Sequence, residues 1–135
     1  MKGAYLLIMD LPKDTRILVA KQGMISFKKG WYGYVGSALN GLEQRIQRHC
    51  RSAKKLHWHI DYLLTHVTIT RVFIKEGSER EECDLAQHFE QTFEVIPNFG
   101  CSDCACQSHL FFGPIEAMEQ LALSLQMEPY SSLNF

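Results

Sequence analysis

Continuous and alternating runs of apolar residues predict most of a sheet in the first half of the chain. Gly3 to Met9 is a strand-like run that ends in the turn signal DLPKDT, and residues 16–21 can return antiparallel to it as a hairpin. Two further short strands are predicted at residues 24–28 and 31–36, after glycine-containing turns. The β-branched, alternating residues 67–74 predict another strand. The pattern therefore indicates a small, mostly antiparallel sheet.

An apolar period of 3.6 residues predicts helices between and after these strands. One begins after the Asn40-Gly41 turn, one opens near Arg80 and runs to about Phe93, and one follows Pro114. Their apolar stripes are Leu42, Ile46 and Cys50; Leu85, Ala86, Phe89 and Phe93; and Ile115, Met118, Leu121 and Leu125. Together the elements predict an α+β fold, with a small antiparallel sheet flanked by helices.

Length and charge limit what such a fold can be. At 135 residues the chain suits one domain spanning residues 1–135. The formal net charge is only -1, so any binding of nucleic acid must depend on local asymmetry. Residues 44–60 supply it with five Lys/Arg, three His and no carboxylate, whereas residues 76–94 are strongly acidic. The first residues resemble neither a signal peptide nor a membrane span, which predicts a cytoplasmic protein with no membrane partner.

Groups suited to attack on a phosphodiester occur together near the basic stretch. Tyr32 and Tyr34 lie on one face of a strand, and Arg45 and His49 lie one helical turn apart. We interpret Tyr32 as a packing residue. A phenol, a fixed cation and a titratable imidazole can orient water and stabilise charge on a phosphate. The alternative for Arg45 is a solvated helix face. Contacts to nucleic acid are predicted for Arg48, Arg51, Lys54, Lys55, His57 and His59.

Two other polar features have more than one interpretation. His57, His59 and Asp61 fall on one side if their segment is extended, like a metal-ligand triplet, but scatter if a helix begins there. Glu82 lies on the same face as the apolar stripe of its helix, whereas Glu81 points toward solvent. A carboxylate in that position needs a paired charge or a metal ion.

Two short motifs and a longer signature resemble a known superfamily. GAY at residues 3–5 and YVG at residues 34–36, followed by Arg45 within RIQRH, resemble the GIY-YIG nucleases, and each short motif departs only at its middle residue. The series GSALNGLEQRIQRH, KKLHWHIDYLL, ECDLA and FGCSDCACQSHLF is similar to small stand-alone enzymes called Uri-like endonucleases. Tyr5 and Tyr34 are 29 positions apart, more than in compact members, which predicts an extra hairpin strand between them.

The resemblance implies an active site and a cofactor. It implies that Glu82 holds one divalent metal ion, and oxygen ligation by one carboxylate, waters and phosphate suits Mg²⁺ or Mn²⁺. Because the family takes its metal from one glutamate, it favours the helical interpretation of His57 and His59. Asn98 is a possible additional site residue, although asparagine is also common in turns. The implied catalytic residues are Tyr5, Tyr34, Arg45 and His49.

The cysteines allow a different metal. Five cysteines, an odd number in a chain without an export signal, indicate reduced thiols or a metal site rather than a disulfide framework. A structural zinc ion could use Cys101, Cys104, Cys106 and His109. Their tight spacing argues against a closed tetrahedral site, so we favour reduced thiols.

The sequence thus predicts a metal-dependent endonuclease that hydrolyses phosphodiester bonds in nucleic acid, with DNA favoured as the partner. The alternative is a non-catalytic nucleic-acid-binding module, in which the basic helix contacts phosphates and Trp58 or Tyr62 stacks on bases. A third alternative is a zinc protein that uses residues 101–109 for interaction. Glu82 distinguishes the first two, because a binding surface gains nothing from a carboxylate directed into a basic site.

Overall fold

The computed structural model describes residues 2–38, 41–51, 56, 59–77, 81–97, 99 and 107–131. The strands are β1 (Gly3–Leu11), β2 (Thr15–Val19), β3 (Gly23–Phe27), β4 (Gly30–Ala38), β5 (Thr68–Glu76), β6 (Glu94–Val95), β7 (Leu110–Phe112) and β8 (Glu128–Tyr130). The helices are α1 (Leu42–Cys50), α2 (His59–Leu64), α3 (Glu82–Thr92) and α4 (Ile115–Ser124). A single 3-10 turn, Ala20–Gln22, joins β2 to β3.

A six-stranded sheet in the order β6-β7-β4-β1-β5-β8 forms the centre of the fold, and all its pairings are antiparallel. This confirms the predicted α+β class. The predicted hairpin between residues 3–9 and 16–21 is wrong: β1 pairs with β4 and β5, while β2 pairs only with β3 in a separate two-stranded sheet. Eight of the nine residues of β1 are buried, because other elements pack on both faces of the sheet at this strand.

The separate β2–β3 hairpin is the extra element predicted between the two tyrosine motifs. Buried and solvent-facing residues alternate along both strands of this hairpin. Ile17, Val19 and Phe27 are buried and belong to the same cluster as Tyr5 and Tyr34, whereas the intervening residues face solvent.

Helices cover both faces of the sheet. Alternation along β1 directs Tyr5 and Leu7 into one buried cluster, with residues of α1, α2 and the hairpin, and Leu6 and Ile8 into a second, with residues of α3 and α4. The stripe predicted for α1 is confirmed at Leu42 and Ile46, but Cys50 is only half-buried while His49 is buried. The stripes predicted for α3 and α4 are buried or half-buried. Among the described residues, no helix has the length and apolar character needed to cross a membrane.

Candidate active site

The register of β1 and β4 brings the two tyrosines of the short motifs together. Tyr5 lies opposite Gly36, and Tyr34 lies opposite Leu7 on the same face of the sheet. Their ring centroids are 6.5 Å apart. A Cβ atom at Gly36 would overlap the ring of Tyr5, so only glycine leaves room for that ring. A Cβ atom at Gly3 would similarly collide with the carbonyl oxygen of Lys75 in β5. Gly36 therefore makes room for the ring of Tyr5, and Gly3 permits the close approach of β5 to β1.

Helix α1 brings an imidazole and a guanidinium group to the tyrosines. The hydroxyl of Tyr5 is 2.8 Å from Nε2 of His49, a hydrogen bond in which Tyr5 donates when the imidazole proton is on Nδ1. The His49 ring is 5.4 Å from that of Tyr5 and 6.3 Å from that of Tyr34, and 2% of the residue is exposed. One turn earlier, Nη1 of Arg45 donates to the carbonyl oxygen of Ser37 at 3.0 Å. The positive charge of Arg45 also lies close enough to Tyr5 to oppose the rise that burial causes in the pKa of its hydroxyl.

Burial keeps both site tyrosines protonated. It raises the pKa of Tyr5 well above its ordinary value, and the nearby positive charge of Arg45 only partly opposes this shift. Burial also raises the pKa of Tyr34, and the proximity of Tyr5 adds to the increase. At neutral pH these phenols are therefore hydrogen-bond donors and not phenolate bases.

Glu82 lies on the site side of helix α3. It is the first residue of the helix and is half-buried, and its negative charge further raises the pKa of Tyr5 and of Tyr34. Its neighbour Glu81 instead forms an ion pair with Lys75, at 3.4 Å between Nζ and Oε1. Both glutamates are half-buried and Glu81 precedes α3, so the two differ in their charged neighbours and not in their burial.

The described side chains near Glu82 fit a metal site with one protein carboxylate better than a site enclosed by several protein ligands. Among the described residues, no group of three or more His, Cys, Asp or Glu side chains could hold a metal ion. Mg²⁺ does not need such a cage, because it commonly binds one or two carboxylates and takes its other ligands from water and substrate phosphate. Glu82 therefore suits Mg²⁺ or Mn²⁺ in the presence of a phosphodiester. Of the four candidate zinc ligands, Cys101, Cys104 and Cys106 lie outside the described residues.

His109 belongs to this region, which the sequence did not indicate. Its Nε2 lies 3.9 Å from Sγ of Cys83, next to Glu82 in sequence, and 5% of the residue is exposed. Burial lowers the pKa of His109, and the charge of Glu82 opposes that shift. Its backbone carbonyl accepts from the amide of Val35 at 2.9 Å, which ties it to the YVG motif. The pairing of β7 with β4 brings His109 to the candidate site, and no local sequence pattern predicts that pairing.

A buried ion pair joins helices α1 and α2. Nη1 and Nη2 of Arg48 donate to Oδ1 and Oδ2 of Asp61 at 2.9 and 3.0 Å. The Asp61 side chain is fully buried, whereas 20% of the Arg48 side chain is exposed. Because Arg45 and His49 flank Arg48 on α1, this bidentate contact helps fix the helix that carries them. No local sequence pattern predicts this partner of Arg48, and the contact of Arg48 with nucleic acid stays a prediction.

The other predicted nucleic-acid contacts are described only in part. Arg51 is exposed just beyond α1. His59 begins α2, which confirms the helical interpretation, and its ring centroid is 5.7 Å from that of Phe99. Lys54, Lys55 and His57, as well as the possible site residue Asn98, lie outside the described residues.

An antiparallel sheet with two buried tyrosines, facing a helix with an arginine and a histidine and a second helix that begins with a glutamate, defines a GIY-YIG-like α+β domain. Residues 4–129 match the model of a family described as "Domain of unknown function DUF123". The chain belongs to this family, which is GIY-YIG-like. No curated protein and no solved structure matches the chain significantly.

Proposed function

We propose that this protein is a metal-dependent endonuclease of the Uri-like branch, which hydrolyses phosphodiester bonds in DNA. The observation that carries the proposal is the convergence of unlike groups at one end of β1 and β4. The hydroxyl of Tyr5 contacts His49, and the opposite charges of Arg45 and Glu82 both act on Tyr5 and Tyr34. A phenol, an imidazole, a guanidinium and a carboxylate so close together suit charge stabilisation and proton transfer on a phosphate.

The metal requirement rests on Glu82. This carboxylate would hold Mg²⁺ or Mn²⁺, together with waters and an oxygen of the substrate phosphate. When bound, the ion supplies positive charge that neutralises the scissile phosphate and the leaving oxygen.

The other side chains have separable roles. Arg45 stabilises the negative charge that develops on the phosphate in the transition state. His49 is the proton acceptor, because its Nε2 faces the hydroxyl of Tyr5 and a neutral imidazole can accept a proton there. Tyr5 donates its proton to Nε2 of His49 as it takes one from the attacking water, so the water loses a proton and His49 gains one. Tyr34 remains a neutral phenol and orients the water, in keeping with the raised pKa of its hydroxyl.

Substitution of adjacent glutamates tests this function. Glu82→Gln keeps the size of the side chain and removes its charge, so it should abolish Mg²⁺-dependent cleavage of a labelled oligonucleotide while retaining the fold and the affinity for it. Glu81→Gln is the matched control, because Glu81 faces Lys75. It should cleave like the wild type.

Two outcomes would contradict the proposal in different ways. If the wild type binds the oligonucleotide but does not cleave it with Mg²⁺ or Mn²⁺, the protein is the non-catalytic binding module. If Glu81→Gln is inactive and Glu82→Gln cleaves normally, the enzyme is a nuclease, but its metal site must be rebuilt around Glu81.

A further inference from the structure

The outward face of the β2–β3 hairpin carries exposed apolar side chains. Leu18 and Met24 lie directly opposite each other on the two strands and are 60% and 52% exposed. The next outward pair toward the open end is Arg16 and Ser26, which are also exposed. We call these four residues the hairpin face. Two large apolar side chains side by side in solvent are a feature that packing does not explain.

The orientation of the hairpin face is fixed by its inward face. Ile17, Val19 and Phe27 are buried in the cluster that contains Tyr5 and Tyr34, and β2 packs on α2. A shift of one residue in either strand would expose that inward set. Leu18 and Met24 therefore stay in solvent without a partner molecule.

The charge of the hairpin indicates the chemistry of the partner. Residues 15–30 contain four Lys/Arg and no Asp or Glu. Carboxylates from outside the segment meet two of its residues: Glu94 pairs with Lys28 at 2.8 Å, and Asp14 accepts from the backbone amide of Lys29 at 2.7 Å. Arg16 remains exposed beside the apolar pair. A polyanion with flat apolar faces, as an unstacked nucleic-acid strand presents, complements this surface.

The hairpin is also continuous with the candidate active site. In the turn that joins its strands, Nε2 of Gln22 donates to Nδ1 of His59 at 3.3 Å. The ring of His59 packs on Phe99, and the ring centroid of Phe99 is 6.4 Å from that of Tyr34. A strand that passes from the site over α2 would therefore reach the hairpin. Ala20, at the start of the turn, has a φ of 44°, a conformation that residues other than glycine seldom adopt.

We infer that the hairpin face is a second nucleic-acid contact, where Leu18 and Met24 pack against an unstacked base while Arg16 approaches a phosphate. The inference rests on the proposed function and adds a preference to it. Substrates with unpaired bases should bind better than fully paired duplex, because inserting an apolar side chain into a paired stack requires unstacking.

A double substitution tests this contact. Leu18→Thr/Met24→Thr keeps residues that favour strands and removes the apolar surface. We expect affinity for a fluorescein-labelled single strand, measured by anisotropy with chelator present, to fall about tenfold, as loss of one base-packing contact would cause. Affinity for the matching duplex should change less than about twofold, and the dependence on salt should stay the same, because no phosphate contact is removed.

The matched control is Leu123→Gln on α4, which removes a leucine that is 54% exposed on a helix of the opposite layer. It should bind both substrates like the wild type. Circular dichroism and thermal melting should show that all three proteins are folded. If the double variant binds the single strand like the wild type, or if Leu123→Gln loses as much affinity, the inference is wrong.

The alternative partner of the hairpin face is a second copy of the chain. Sedimentation of the wild type and the double variant without nucleic acid tests this alternative. A wild-type dimer that becomes monomeric in the double variant, with single-strand affinity unchanged, would assign the hairpin face to self-association and overturn the inference. Failure of the proposed function gives another pattern, in which the wild type neither binds nor cleaves nucleic acid. Cleavage by the wild type together with full affinity in the double variant would overturn only the hairpin contact.

Discussion

The two faces of the sheet bury different kinds of side chain. The buried residues of α3 and α4 are all apolar, namely Leu85, Ala86, Phe89, Met118 and Ala122. On the other face, α1 buries His49 and α2 buries Asp61, beside the hydroxyls of Tyr5 and Tyr34. Hydrophobic burial explains the first face, because it stabilises folding without further requirements. The second face requires desolvation of polar groups, which stabilises folding less than apolar residues would and so indicates a chemical role.

The largest effect is expected on the apolar face. Phe89 is fully buried among the rings of Phe93 and Phe111. Phe89→Ala should lower the free energy of unfolding by about 3–5 kcal/mol in urea titrations, through lost transfer energy and a residual cavity. Leu123→Ala, an exposed position on α4, should change it little. A loss below about 1 kcal/mol for Phe89→Ala would show that this face is not the main source of stability.

On the polar face, breaking the ion pair between α1 and α2 should have the next largest effect. Asp61→Asn should lower the free energy of unfolding by about 3 kcal/mol, because Arg48 loses the charge that compensates its burial. We place the value at the lower end of the usual range, since 20% of the Arg48 side chain is exposed. Urea titration of the single variant measures this loss.

The apolar replacement Arg48→Met/Asp61→Leu separates stability from positioning. Its free energy of unfolding should lie within about 1 kcal/mol of the wild type, as replaced buried pairs often do. Cleavage should nevertheless fall about tenfold or more, if the pair positions α1 for catalysis. Unchanged cleavage would show that the pair has no positioning role. A decrease of about one in the salt slope of DNA binding would show instead that Arg48 contacts a phosphate.

Removal of a single charge on the polar face should have a slightly smaller effect than breaking the ion pair with Asp61→Asn. Arg45→Ala should reduce cleavage about a hundredfold, or about 2.7 kcal/mol on the barrier, by removing one preorganised donor to the transition state. Oligonucleotide affinity should fall much less. Arg51→Ala, which removes an exposed cation at the end of α1, is the control and should leave the cleavage rate of bound substrate unchanged. Near-normal cleavage by Arg45→Ala would remove this arginine from the site.

Local patterns predicted many of the groups that meet in the candidate site. The stripe of α1 placed Arg45 and His49 one turn apart, and the periodicity of α3 predicted its buried residues Leu85, Ala86 and Phe89. These predictions succeeded because helical periodicity fixes relative direction within one element. The position of His109 beside Cys83 and the partner of Arg48 were not predicted, since in each case the two groups are far apart in sequence.

The strand pairing shows the same limit. The sequence by itself determined that residues 3–9 form an apolar strand and that an additional hairpin separates the tyrosine motifs. It did not determine that β1 would lie between β4 and β5 and leave β2 to β3 alone. Turn signals favour the nearest strand as a partner, whereas the pairing that forms places the apolar β1 at the centre of the sheet, where other elements cover both of its faces. Only the tertiary structure could place Tyr5 over Gly36 and against His49, because that contact needs two distant segments to pack on the same strand.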